Sequence, residues 1–148
     1  MAYGDTLKTS SVKIADIKGV LDPLLFNYSY ADTSSLVSTS SGTAVDMVVA
    51  SANITGNMIV FIYAHASMSN SAGNTTNFGI FRDSTELVGM IRKDKYSDTT
   101  GESWTYSLSA IDVLPAPGSY SYKLKWSVGA GTGYSNYMGI LIMTKPVN

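Results

Sequence analysis

"AIDVLPAPGSYSYKLKWSV", residues 110–128, decides how the chain is read. An alternating run ends at Asp112. Pro115, Pro117 and Gly118 then make a turn, because proline fixes φ and glycine frees it. The next segment alternates without a fault. Tyr120, Tyr122, Leu124, Trp126 and Val128 lie on one side, with Ser119, Ser121, Lys123, Lys125 and Ser127 on the other. A period of two is the mark of a strand with one buried and one wetted face. Two strands joined at a Pro/Gly corner therefore frame the chain as a β protein, and Asp112 reads as an acceptor for the amides of the turn.

Working outward, the same grammar recurs. Segments 23–30, 43–51, 57–68, 77–83, 86–92, 102–112, 119–128 and 135–143 read as about eight strands at short spacing. A tight hairpin is expected at Ser84-Thr85, a Ser/Thr-rich loop at 31–42 and a flexible "GAGTG" connection at 129–133. No helical periodicity competes. The expected fold is all-β, an antiparallel two-sheet jelly-roll sandwich. Residues 1–19 are polar, with only Val12, Ile14 and Ile17 to dock, and read as an extended N-terminal arm; residues 20–148 read as a single domain.

Two strands break the half-wet pattern. In 57–68, Met58, Val60, Ile62 and Ala64 form one face and Ile59, Phe61, Tyr63 and His65 the other. In 137–143, Met138, Ile140 and Ile142 oppose Tyr137, Leu141 and Met143. A two-layer sandwich covers one face of each sheet, so the second apolar face calls for another subunit. The aliphatic set suits the core. Ile59, Phe61, Tyr63 and His65, with Tyr137 and Leu141, are assigned to a subunit interface.

"NFGIFRDSTELVG" (77–89), "LSAIDVLPAPGSYSYKLKWSV" (108–128) and the final "YMGILIM" (137–143) together resemble C1q/TNF-like jelly-roll modules, in particular the microbial and viral versions in fibre and surface proteins. The resemblance spans roughly residues 43–144 and stops short of the arm. It implies a homotrimer whose inner sheet, including strands 57–68 and 137–143, packs around a threefold axis. It carries over no site residues.

Composition excludes several functions. Of 148 residues 14% are charged and the net charge is −1, so there is no electrostatic footprint for nucleic acid. Cysteine is absent, which removes disulfides, thiolate nucleophiles and Cys-based metal sites. No apolar run reaches membrane-spanning length, and the start shows no signal peptide. His65 is the only histidine and sits in an apolar strand without a G-x-S-x-G elbow, so it reads as structural. The acids fall at strand ends and loops. Asp94, Asp98 and Glu102 match no strong calcium motif, "GAGTG" has no Lys-Ser/Thr of a phosphate loop, and the sequons at Asn27, Asn53 and Asn74 are unremarkable in a chain this rich in Ser and Thr.

The expectation is a non-enzymatic structural protein of a virion surface, a decoration, spike or fibre-tip protein with no cofactor and no metal. Its partners would be itself as a homotrimer and a capsid, tail or other surface protein held by the arm. The alternative is a glycan- or receptor-binding module, extracellular or at a cell surface. In that reading loop tyrosines, Tyr96 and Tyr134, would stack on sugar rings.

Overall fold

The computed structural model describes residues 27–71, 75–93, 104–113 and 115–147. Nine strands occupy them: β1 (Asn27–Thr33), β2 (Val37–Thr39), β3 (Val45–Ile54), β4 (Met58–Asn70), β5 (Thr76–Arg82), β6 (Thr85–Lys93), β7 (Trp104–Val113), β8 (Gly118–Val128) and β9 (Gly133–Pro146). One sheet runs β1-β9-β4-β7, with β2 also on β9; the other runs β3-β8-β5-β6. All pairings are antiparallel. This is the jelly-roll sandwich read from the sequence, and no helix occurs among the described residues. The residues assigned to the arm lie outside them.

Alternation builds the core. β4 turns Met58, Val60, Ile62, Ala64, Ala66 and Met68 inward; β9 adds Met138, Ile140 and Ile142, and β8 adds Tyr122, Leu124 and Trp126. All are buried. In β3 the register shifts between Asp46 and Val48, so Met47 and Val48 are both buried in succession, as a bulge allows.

Local details differ from the expectation. The Ser/Thr-rich segment 31–42 is not wholly loop. It carries the end of β1 and the short β2, which both pair with β9. The β5–β6 hairpin turns at Asp83-Ser84, one residue earlier than expected, because Asp83 takes the left-handed backbone (φ 50°) that Asp tolerates better than Thr. The glycine-rich connection is anchored. Thr132 and Ser71 exchange hydrogen bonds, from the Ser71 amide to the Thr132 carbonyl and from the Thr132 amide to the Ser71 hydroxyl, both 3.0 Å. Gly133 is required there, since a Cβ would lie 2.8 Å from Val128 Cγ1.

Asp112 is the main correction. It does not serve the amides of the proline turn. The inward parity of Tyr106, Leu108 and Ala110 carries it into the core, opposite Val60. There it accepts from Arg82 Nη1 at 2.8 Å on each carboxylate oxygen and from the Tyr122 hydroxyl at 2.9 Å. Arg82 and Tyr122 are paired on β5 and β8, so the carboxylate ties one sheet to the other. The Arg82 guanidinium also lies 5.2 Å from the Tyr120 ring centroid. Tyr120 in turn donates to the Ala116 carbonyl at 2.8 Å and holds the proline turn. Asp83 closes the motif, exchanging bonds with the Ser121 backbone at 2.7 and 2.9 Å.

Burial would lower the Arg82 guanidinium. The hydrogen bonds and charge of Asp112 outweigh it and hold Arg82 above its ordinary value. Burial first, and the Asp112 carboxylate second, push the Tyr122 hydroxyl far above its ordinary value.

Two outcomes follow. Arg82→Ala leaves the Asp112 carboxylate in the core with no cation and only the Tyr122 hydroxyl as a donor, and the loss measured by denaturant unfolding should be about 3 kcal/mol. That is the low end for a buried pair, because 24% of the Arg82 side chain stays in water. Tyr122 keeps its proton in the folded chain where the unfolded chain has lost it. Stability should therefore fall as pH rises above about 10. Tyr122→Phe should flatten that alkaline fall while costing about 1 kcal/mol at neutral pH for the lost hydrogen bond. An unchanged alkaline melt in Tyr122→Phe would refute the assignment.

Candidate functional site

The two sheets have opposite outer faces. On β3 and β8 the outward residues are polar apart from Val49, and three of them are ion-paired: Lys123 Nζ lies 2.9 Å and Lys125 Nζ 3.3 Å from the Asp46 carboxylate. Burial alone would raise Asp46, but hydrogen bonds from Lys123 and Lys125 lower it below its ordinary value. Lys125 lies over Phe81, 5.1 Å from its ring centroid, and covers it. This face is built for water.

The outer face of the β1-β9-β4-β7 sheet is built otherwise. Strand register lays its residues in lateral rows. Tyr28, Met143, Phe61 and Ile111 form one row across the four strands. Tyr30, Leu141, Tyr63 and Ser109 form the next, and Asp32, Gly139, His65 and Ser107 the third. Ile59 stands between Lys145 and Val113 beyond the first row, and Tyr137 opposite Ser67 beyond the third. Much of this apolar surface is open: Tyr28 is 78%, Val113 62% and Ile111 58% exposed. Along β4, the middle of the face, neither Lys, Arg, Asp nor Glu appears.

All six residues assigned to an interface, Ile59, Phe61, Tyr63, His65, Tyr137 and Leu141, therefore stand on one surface. Sequence reasoning missed its flanks. Tyr28 and Tyr30 of β1 and Ile111 and Val113 of β7 complete it, and alternation within those strands was the available signal. Of the proposed sugar-stacking tyrosines, Tyr134 is not on a loop. It lies within β9, paired with both Ser69 and Ser38. Tyr96 lies outside the described residues, as do the acids Asp94, Asp98 and Glu102.

His65 occupies a notch made by Gly139. A Cβ at Gly139 would lie 2.7 Å from His65 Cε1 and 3.2 Å from Nε2. The ring stacks against Tyr137, with centroids 4.9 Å apart, and lies 6.1 Å from Tyr63. Its Nε2 is buried without a hydrogen-bond partner. Asp32 and Ser107 share its row, yet neither bonds to it, so the residue types of a triad are present without the linkage that activates a nucleophile. Among the described residues no group of three or more His, Cys, Asp or Glu is placed to hold a metal, and no helix is long and apolar enough to cross a membrane.

No protein-family model and no curated protein matches the sequence. Solved structures do match the fold. The Eiger TNF of S. frugiperda superposes with a TM-score of 0.50 at 14% identity, over 84% of this chain and 96% of that one. The tripod from the baseplate of bacteriophage Tuc2009 gives 0.53 at 14% identity, over 86% and 67%. Particles derived from infectious bursal virus give 0.51 at 16% identity, over 81% of this chain but 32% of theirs, so this chain spans about a third of that protein. At these identities the likeness is one of fold: a TNF-like jelly roll, the form that the sequence motifs resemble.

The notch yields a test. Gly139→Ala should force the imidazole out of its seat, at a cost of about 1–3 kcal/mol for overpacking. In a double-mutant cycle with His65→Ala most of that loss should disappear, because the added methyl then has room. Additive losses would mean that Gly139 serves the backbone instead.

Proposed function

We propose that this protein is a non-enzymatic structural component of a virus or phage surface, a decoration, spike or fibre-tip protein, and that it assembles as a homotrimer through the outer face of the β1-β9-β4-β7 sheet. The observation that carries the reading is the contrast between the two outer faces. One is ion-paired and hydrated. The other spreads Tyr28, Ile59, Phe61, Tyr63, Ile111, Val113, Tyr137, Leu141 and Met143 across four strands. A contiguous apolar surface of that kind costs free energy in water and is recovered by association. Aromatic residues with polar tips are the common furniture of interfaces. The shared fold with a phage baseplate tripod and a TNF supports three as the number of copies and a particle surface as the setting. The arm, residues 1–19, is proposed as the attachment to a capsid, tail or neighbouring surface protein.

Light scattering on a sizing column checks the assembly. The wild type should weigh about three times its 15.8 kDa chain. Phe61→Asp repeats one buried carboxylate in every copy, a cost of several kcal/mol each unless it protonates. That variant should elute as monomer, or unfold, at concentrations where the wild type is trimeric. A wild type that remains monomeric when concentrated would end the proposal.

A further inference from the structure

The sandwich has a seam where its two edge strands, β1 of one sheet and β3 of the other, approach each other. A cleft of about 220 Å³ opens there, lined by Asn27, Tyr28 and Ser29 of β1, Ser51, Ala52 and Asn53 of β3, and Thr144 of β9. Its chemistry is uniform. Neither acid nor base lines it. Asn27, Ser29, Ser51 and Asn53 carry amides and hydroxyls, which both donate and accept. None of these four side chains has a hydrogen-bond partner among the described residues. Thr144 alone is engaged, its hydroxyl donating to the Asn27 carbonyl at 3.4 Å. Each edge strand also leaves one side of its backbone without a partner strand.

We infer that this seam is a binding site for a neutral sugar ring. The space equals about seven liquid waters, less than a drug-sized ligand needs but enough for one pyranose. A ring of hydroxyls can donate to and accept from every side chain named. An anion would find no cation in the cleft, and a cation no carboxylate, so charged sugars are disfavoured. An apolar ligand would strand the amides. The site lies at the sheet edges, away from Tyr134; of its lining residues only Tyr28 also belongs to the face proposed for assembly.

Saturation-transfer NMR on the full-length protein tests the inference. The probes are methyl glycosides of glucose, galactose, mannose and N-acetylglucosamine, with the methyl glycoside of sialic acid as the charged comparator. At least one neutral glycoside should receive saturation and the sialoside should not. Asn53→Ala should weaken that binding at least tenfold, and Asn27→Ala likewise, while Tyr134→Ala leaves it unchanged. Thermal melts and column mass confirm that the variants keep the wild-type fold and assembly; if Asn27→Ala fails to fold, Ser51→Ala with Asn53→Ala serves in its place. A glycan array then separates a terminal sugar on a larger glycan from a free monosaccharide. No transfer to any neutral glycoside, binding that survives the asparagine changes, binding that follows Tyr134, or an equal response to the sialoside would each overturn it.

Discussion

Among the described residues Asp112 is the one charge buried in the core, and it joins the two sheets. It sits on β7, opposite Val60, with Arg82 and Tyr122 reaching it from the facing sheet. Two carboxylate oxygens meet three hydrogen bonds, so the desolvation cost of the charge is offset by direct, charge-assisted partners. Hydrophobic contact holds the sheets together without directing how they meet. The Arg82–Asp112 pair fixes one point of contact between β5 and β7, which the apolar core alone would leave adjustable. Tyr120 and Asp83 extend the order to the proline turn and to the β5–β6 hairpin. The motif that makes the sequence resemble C1q/TNF-like modules is thus a structural joint, which explains how it marks a fold.

With one joint of this kind at the edge of the sandwich, the remaining polar residues are free to decide the surfaces. On the β3-β8 face, alternation places Lys123 and Lys125 beside Asp46, and the surface is complete in water. On the β4-β9 face Ile59, Phe61, Tyr63, His65, Tyr137, Leu141 and Met143 point outward, with Lys145 and Ser67 toward its two ends. Gly139 lets the imidazole of His65 sink into the sheet, leaving Tyr137 stacked on it. The result is an aromatic and aliphatic surface whose tyrosines carry hydroxyls into the solvent.

Much of this was legible in residues 57–68 and 102–143. A period of two separates inward from outward positions whatever the tertiary arrangement, because side chains alternate along every strand. The core, the doubly apolar strands β4 and β9, and the six residues of the outer face followed from that alone. Even Asp112 carried a readable signal, since it continues the inward parity of Tyr106, Leu108 and Ala110. The Pro/Gly turn beside it offered a nearer and misleading partner.

What alternation cannot supply is the identity of neighbours across a gap. Arg82 and Asp112 are thirty residues apart and meet only because two sheets stack. The notch at Gly139 exists only because register sets it beside His65. β1 and β3 form a polar seam only because both end up as edges on the same side. The sequence by itself determined which residues face inward and which outward, a property of each strand's own backbone. The tertiary structure decided which of them meet, because pairing order and stacking depend on long-range closure that no local spacing encodes.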